Sequence, residues 1–367
     1  MAHMLLGGSS AHRWSRCSAS VVVAEGLPRH DPGPAAREGT RLHDLAAKDL
    51  EAVLKAGSLS ASRVPTADRP AISAYVQYCY RQVSANPGAQ WWIEEMSLLS
   101  GVSAKAGGTV DFAWYHPTRR HLEIVDKKTG MMLVEEEDND QLLFYAVGLV
   151  ESKGLEVDTI DLTIVQPNVA WAETVRTQAI TYMDLFEAYG RFTWAAHQIE
   201  TGEAEFVAGD HCRYCPAMLH CPLLREITMK LKNTKLVDPT DDNLAEVMEV
   251  AGPVNLYLKA VQEESLKRAL TGVNIPRHKI IRGRGSRVWE DAEAVVQFAD
   301  LEGVSRDDIY ETELRSVAAL EKHIGRSRFA RFVPLVKNKE GALKLVHESD
   351  KGQAVDPKAE GDFGAVA

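Results

Sequence analysis

The segment Gly108-Thr-Val-Asp-Phe-Ala-Trp-Tyr-His-Pro-Thr-Arg-Arg-His-Leu-Glu-Ile-Val-Asp-Lys-Lys-Thr-Gly130 decides the fold, because it contains two strand signals and the turn between them. Residues 109–115 are an alternating run rich in β-branched and aromatic side chains, which predicts a strand. A turn follows around Pro117, and residues 122–125 predict a second short apolar strand. The segment therefore predicts a β-hairpin.

Three charged side chains of this hairpin form a candidate catalytic site. Asp111 lies near the start of the first strand and Asp126 directly follows the second, so the hairpin brings two carboxylates close together. Lys128, two residues past Asp126, is expected to point to the same face. Such a group can hold a divalent cation such as Mg²⁺ and stabilise charge on a phosphate that water attacks. A lone Asp-x-Lys is more often a set of exposed surface charges, so the neighbouring motifs decide between the two interpretations.

A helix after the hairpin carries two more candidate site residues. Following the acidic linker 135–140, Asp138 is expected to cap a helix that ends at about Lys153. Gln141 and Tyr145 are four residues apart and therefore share one face of this helix. An amide and a phenol on that face are suited to hold a phosphate or a base.

An earlier helix carries a histidine. Apolar residues at three-to-four spacing over residues 35–55 predict an amphipathic helix, and Gly39 and His43 lie near its start. A histidine on a helix is more often a polar side chain than a ligand. The residues alone therefore do not make His43 a metal ligand.

The five cysteines are not typical of a disulfide framework. We find no secretory signal at the N-terminus, so reduced thiols or metal ligands are expected. Cys79 lies on the apolar stripe of a helix predicted at 69–85 and is interpreted as core packing. Cys17 stands alone in its segment, and its meaning depends on distant partners.

Three further cysteines lie together in one short segment. Cys212, Cys215 and Cys221 have the spacing C-x2-C-x5-C, which places three thiolates on a tight loop. A thiolate site normally needs four ligands. His211 or His220 would complete a zinc site, whereas a distant cysteine would complete a site of four thiolates.

Taken in order, these motifs resemble the PD-(D/E)xK nuclease superfamily in its RecB-like branch. That branch has a Gly-x-x-Asp, a strand, an Asp-x-Lys-Thr-Gly and a helix with Gln-x-x-x-Tyr. Residues 108–111, 126–130 and 141–145 match these elements. The resemblance covers roughly residues 9–225. It implies an α/β fold in which helices flank a small mixed central sheet (a restriction-endonuclease-like core), here followed by a helical C-terminal extension.

The resemblance also implies roles for individual residues. RecB-like nucleases have a Gly-x-x-x-His at the opening helix, where the histidine binds the catalytic metal, and Gly39 and His43 match that spacing. The implied metal ligands are His43, Asp111, Asp126 and the backbone carbonyl of Lys127. The implied catalytic residues are Asp111, Asp126, Lys128, Gln141 and Tyr145, of which the last two also position the DNA strand.

Two cofactors follow from the resemblance. The catalytic site would use Mg²⁺ or Mn²⁺. AddB-type and CRISPR-associated RecB-like nucleases carry one cysteine before the nuclease core and three after it, and these bind a 4Fe-4S cluster. The resemblance therefore implies such a cluster at Cys17, Cys212, Cys215 and Cys221, and Zn²⁺ is the alternative at the cysteine site.

The function implied is that of a metal-dependent deoxyribonuclease, an exonuclease rather than an endonuclease. The whole chain looks like a phage-associated family of such nucleases that supplies the exonuclease of phage recombination or DNA end processing. The implied partners are DNA and a single-strand-annealing recombination protein. The alternative is a catalytically inactive DNA-binding or scaffold module of a recombination complex. Intact Asp111, Asp126 and Lys128 argue against that alternative.

Composition bounds these expectations. The chain has 367 residues and is 45% hydrophobic, enough for one large or two medium domains. No apolar run approaches twenty residues, so we expect no membrane span and a cytoplasmic location, in a bacterial host cell if a phage encodes the protein.

The net charge of −10 is not typical of a nucleic-acid-binding protein. Basic residues nevertheless cluster in one segment. The predicted contacts to DNA phosphates there are Arg277, Lys279, Arg282, Arg284 and Arg287.

Three regions are expected along the chain. Residues 1–233 form the nuclease domain with its cysteine site, residues 234–347 form a helical and basic extension, and the polar tail 348–367 is predicted to be disordered. Within the first region, a helix is expected from Ile180 to Gly202, with apolar residues that include Met183 and Phe186 on its buried face.

Overall fold

A computed structural model describes residues 4–28, 33–169, 171–233, 240–283, 285–310, 314–339, 343–347 and 353–355. The chain divides into two compact units, residues 1–257 and residues 258–367. The predicted DNA-binding residue Arg284 and all of the predicted tail 348–367 except 353–355 lie outside the described residues.

The first unit combines short strands with long helices. Its strands are β1 (Leu6–Gly7), β2 (Gln90–Leu98), β3 (Ala106–His116), β4 (His121–Lys127), β5 (Thr159–Val165) and β6 (Val175–Thr181). Its helices are α1 (Ala11–Trp14), α2 (Ala19–Glu25), α3 (Pro34–Ala56), α4 (Arg69–Ala85), α5 (Asp140–Lys153), α6 (Tyr182–Thr201) and α7 (Pro222–Asn233). Helix α8 (Asp241–Leu270) begins in this unit and ends in the second.

Six strands of the described chain form one mixed sheet. Strand β3 pairs in antiparallel fashion with β2 and β4 and in parallel with β1. Strand β4 is parallel to β5, which pairs in antiparallel fashion with β6. A parallel pair needs a crossover connection, and α5 provides it between β4 and β5. The sheet and its flanking helices confirm the predicted α/β fold class.

The sheet is covered on both faces, and each face has its own apolar core. One core packs side chains of α1, α5 and α6, among them Trp14, Phe144 and Phe192, against the sheet. The other packs α3 and α4, through residues such as Leu50 and Tyr75, against the opposite face. Burial on both faces explains why the central strands are so apolar. It also places α3 and α5 on opposite sides of β4.

Three local predictions need correction. Ile180 and Thr181 end strand β6 instead of starting a helix, and α6 begins only at Tyr182, after a capping box made by Thr181 and Asp184. Met183 and Phe186 are exposed and not buried, because the inner face of α6 is formed by other residues of the helix. Asn139, and not Asp138, caps α5: its side chain accepts hydrogen bonds from the first backbone N–H groups of the helix.

The second unit is smaller and has its own core. Its strands are β7 (His278–Arg282), β8 (Ser286–Trp289), β9 (Val336–Lys339) and β10 (Leu343–His347). Its helices, besides the end of α8, are α9 (Ala292–Leu301), α10 (Arg306–Ile309), α11 (Val317–Ile324) and α12 (Arg326–Phe329). Strand β7 pairs with β10 and β8 with β9, both antiparallel. Among the described residues of both units, no helix is both long enough and apolar enough to cross a bilayer.

Candidate functional site

The candidate site lies where the ladder between β3 and β4 ends. Phe112 pairs with Val125, so the next positions along the two strands are Asp111 and Asp126. The side chain of Asp111 reaches across to β4, where its Oδ2 accepts a hydrogen bond of 2.8 Å from the backbone N–H of Lys127. The hairpin therefore holds the two carboxylates side by side.

Helix α5 reaches this point from one face of the sheet. Gln141 Nε2 donates to Asp126 Oδ1 at 2.8 Å and lies 3.2 Å from Tyr145 Oη. Lys128 Nζ donates to Gln141 Oε1 at 2.9 Å and lies 2.9 Å from Asp126 Oδ2. Four residues that the sequence motifs single out thus form one connected polar network.

Helix α3 reaches the same point from the other face. His43 Nδ1 lies 3.3 Å from Asp111 Oδ1, so the predicted histidine adjoins the predicted carboxylate. Burial lowers the pKa of His43, but the carboxylate of Asp111 outweighs it and leaves that pKa raised. Burial likewise opposes ionisation of Asp111, yet His43 and the backbone N–H of Lys127 hold its pKa below the usual value. Each partner therefore stabilises the charged form of the other.

The pKa values of the remaining charged side chains reflect a balance between burial and neighbouring charges. Burial and the charge of Asp111 raise the pKa of Asp126, although Lys128 opposes this. Burial would lower the pKa of Lys128, but Asp126 raises it above its ordinary value. Lys127, whose carbonyl is the predicted ligand, has a fully buried side chain, and burial lowers its pKa to about 8.

The donor set fits a hard divalent cation. Asp126 Oδ2 is a buried oxygen that accepts no hydrogen bond, since Lys128 approaches it as an ion pair without hydrogen-bond geometry. Carboxylates and an imidazole suit Mg²⁺ or Mn²⁺. Within the described ranges, no three His, Cys, Asp or Glu side chains already have the arrangement of metal ligands. Binding of a cation at this site therefore requires its side chains to rearrange.

One acidic residue of the site was missed by sequence reasoning. Glu94 on β2 interacts electrostatically with Asp111, His43, Asp44 and Lys127. Partial burial and the charge of Asp111 raise the pKa of Glu94 to about 7. A strand pattern that alternates regularly gave no signal for this position.

The four predicted cysteine ligands influence one another electrostatically. Cys17 is buried, and its Sγ accepts a backbone hydrogen bond from Val207 at 3.5 Å. Burial raises the pKa of both the Cys215 and the Cys221 thiol, and the charges of Cys17 and Cys212 raise each further. Among the described residues, no three of these thiols already have the arrangement of metal ligands.

The chemistry of this donor set fits either a 4Fe-4S cluster or zinc. His211 is buried beside Cys17, and its Nε2 contacts the carbonyl of Val207 at 2.9 Å. Burial would raise the pKa of Cys17, but hydrogen bonds from His211 and Val207 lower it. His220 is exposed. Of the two histidines considered as a fourth zinc ligand, His211 is the one that hydrogen-bonds to Cys17. Cys79 is buried in the core on the inner face of α4.

A charged network joins the cysteine segment to α5. The buried carboxylate of Asp140 forms ion pairs with Arg16, with Arg191 at 2.7 Å and with His12 at 3.1 Å. The other nitrogen of the His12 ring lies 3.1 Å from Asp210, next to the cysteine loop. Asp140 directly precedes Gln141, so the network ends beside the carboxylate site.

The basic residues predicted to contact DNA phosphates belong to the second unit. Lys279 and Arg282 lie on β7, and Arg277 precedes it with a positive φ of 64°. Arg287 on β8 forms an ion pair with Glu321 and lies over the ring of Phe329, 5.3 Å from its centroid. Arg287 is thus engaged within its own unit.

One comparison with known protein families identifies a group of relatives. The family described as "Protein of unknown function (DUF2800)" matches residues 3–353, nearly the whole chain. The match spans both the unit that contains the carboxylate site and the unit that contains the basic segment. The chain therefore belongs to the DUF2800 family.

Proposed function

We propose that this protein is a metal-dependent DNA exonuclease that hydrolyses phosphodiester bonds in phage recombination or DNA end processing. The observation that carries the proposal is the convergence of the His43, Asp111, Asp126, Lys128, Gln141 and Tyr145 side chains at one end of the sheet. They come from two helices and two strands and match the PD-(D/E)xK pattern element by element.

Each residue has a role that its position permits. His43, Asp111, Asp126 and the carbonyl of Lys127 would hold Mg²⁺ or Mn²⁺. A bound cation of this kind supplies Lewis-acid activation of water and neutralises charge on the phosphate. Lys128, which Gln141 holds at 2.9 Å, orients the attacking water and stabilises the negative charge that develops on the phosphate oxygens.

Gln141 and Tyr145 act on the substrate strand. Gln141 also contacts Asp126, so it fixes the position of the DNA strand relative to the two carboxylates. Burial raises the pKa of Tyr145 far above neutral, so its hydroxyl remains a hydrogen-bond donor at working pH. A neutral donor and an amide can hold a phosphate oxygen without adding charge.

The cysteine site has a structural role in this proposal. A 4Fe-4S cluster at Cys17, Cys212, Cys215 and Cys221, or zinc as the alternative, would close a very long loop around the carboxylate site. Folding of this unit would then be coupled to binding of the metal. We propose DNA as the substrate and a single-strand-annealing protein as the partner in the cytoplasm of a bacterial host.

Cleavage of end-labelled linear DNA tests the proposal. Protein purified without oxygen is incubated with and without Mg²⁺, beside Lys128→Ala and Asp126→Ala. Lys55→Ala is the matched control, because Lys55 is an exposed lysine paired with Glu51. We expect Mg²⁺-dependent shortening from one end that both site variants lose and the control keeps.

The same assay decides between the nuclease and the alternative. Well-folded wild-type protein that binds DNA but never shortens it would contradict the nuclease proposal. That result would favour a DNA-binding or scaffold module of a recombination complex.

A further inference from the structure

Glu94 stands opposite a predicted metal ligand. On the ladder between β2 and β3, Ile93 pairs with Phe112 and Glu95 pairs with Val110. Glu94 lies between Ile93 and Glu95, and Asp111 lies between Val110 and Phe112. Glu94 is therefore directly across from Asp111. Side chains at opposite positions of neighbouring antiparallel strands lie within contact range.

The backbone at Glu94 departs from a regular strand. Its φ is 51°, in the left-handed region that a glutamate rarely occupies. The departure interrupts the alternation of side chains. Trp92 and Glu95, three residues apart, both contact Lys153 of α5, the first by a cation–π contact at 5.7 Å and the second by an ion pair. Residues three apart on a regular strand would face opposite sides.

The side chain of Glu94 is solvent-exposed, and the charges that act on its carboxylate are those of Asp111, His43, Asp44 and Lys127. Within the described part of the chain, its carboxylate makes no hydrogen bond or ion pair that would explain this conformation. Like charges at opposite positions destabilise a strand pair, so Glu94 and Asp111 together favour the binding of a cation.

One buried oxygen nearby is suited to the same cation. Asp126 Oδ2 accepts no hydrogen bond of good geometry, and Lys128 Nζ lies 2.9 Å from it as an ion pair. Buried polar atoms of native proteins nearly always have partners, and ion binding is one explanation of an exception.

We propose that Glu94 is an additional carboxylate ligand, which together with Asp111 binds a divalent cation on the β2 side of the site. The inference rests on the proposed nuclease function and adds a ligand from a strand that carries none of the motifs of the resemblance. Strain in the backbone at functional positions is a recognised way of holding a side chain where a ligand needs it.

Binding of Mn²⁺ to the full chain without DNA tests this ligand directly. Calorimetry is performed on wild type, Glu94→Gln and Glu95→Gln, with circular dichroism to confirm folding. Glu95 is the matched control because it lies on the same strand but pairs with Lys153. We expect Glu94→Gln to weaken binding by about tenfold or more, or to remove one bound ion. Glu95→Gln should bind as wild type does, and Glu94→Asp should bind more tightly than Glu94→Gln.

The outcomes separate this inference from the nuclease proposal. Unchanged Mn²⁺ affinity and stoichiometry in Glu94→Gln would overturn the role of Glu94, even if the wild type cleaves DNA. Mn²⁺ binding that depends on Glu94, in a protein that never cleaves DNA, would support the ligand and refute the nuclease. A wild type that binds no Mn²⁺ would overturn both.

Discussion

The buried carboxylate of Asp140 offers the sharpest test of how this fold is held together. Its side chain is 0% exposed and forms ion pairs with Arg16, Arg191 and His12. Removing one member of a buried ion pair costs about 3–5 kcal/mol, because the remaining charge loses its partner. Arg16 and Arg191 are 33% and 42% exposed, so water reaches both after the change. We therefore expect Asp140→Ala to lower the free energy of unfolding by about 3 kcal/mol, the lower limit of that range.

The control for this prediction is Asp210→Ala. Asp210 contacts the same histidine at the same distance of 3.1 Å, but its side chain is 79% exposed. An exposed pair contributes about 1 kcal/mol or less, so this variant should unfold almost as the wild type does. Urea unfolding followed by fluorescence measures both changes, since Trp14 packs between Phe144 and Phe192. Hydrogen exchange of the α5 amides assigns the loss to the first unit. An Asp140→Ala variant within about 1 kcal/mol of wild type would refute the reasoning.

Three further predictions concern a buried acid, the cysteines and the basic segment. Burial raises the pKa of Glu123 above its unfolded value, so between the two pKa values only the native state is protonated. Its contribution to stability should therefore fall as pH rises through that window. The free energy of unfolding, measured at pH 4 and pH 7, should show a fall in wild type that Glu123→Gln lacks. The same pH dependence in both proteins would contradict this. Cys17→Ser should lose the iron or zinc that elemental analysis finds in wild type, whereas Cys79→Ala keeps it; full metal content in Cys17→Ser would exclude that ligand. Neutralising the basic residues of 277–287 should make DNA binding less sensitive to salt. The slope of the logarithm of the binding constant against the logarithm of the salt concentration should decrease by about 0.9 for each phosphate of double-stranded DNA that is no longer contacted. An unchanged slope in salt titrations would exclude phosphate binding there.

The parts of the fold that follow from local pattern were predictable. Helix α4 and strand β2 begin and end where the sequence indicates, because Pro and Gly residues mark their limits and apolar spacing marks their interiors. The hairpin of β3 and β4 was recognisable for the same reason. Its alternating residues and its turn identify both strands, and the spacing of Asp111, Asp126 and Lys128 follows from them.

Features that depend on neighbours in space were not predictable. Four of the seven residues of β6 are β-branched and favour a strand, but the strand forms where it does because β5 offers an edge with which it pairs. Leu185 and Phe192 of α6 are buried as the helical period predicts, but Met183 and Phe186, assigned to the same face, are exposed. The position of Glu94 depends on one backbone angle that interrupts the alternation of β2. Periodicity cannot indicate such a departure, because it assumes a regular strand.

Two adjacent residues connect the cysteine segment with the carboxylate site. Asp140 binds Arg16, the residue before Cys17, and Gln141 binds Asp126 and Lys128. A shift of the N-terminal segment therefore moves the first turn of α5, and with it the amide that holds Lys128. Any metal bound at Cys17 would fix the position of Arg16 and so limit this movement. The cysteine site would then act on hydrolysis through geometry, with no need for its metal to touch the substrate or to change its oxidation state.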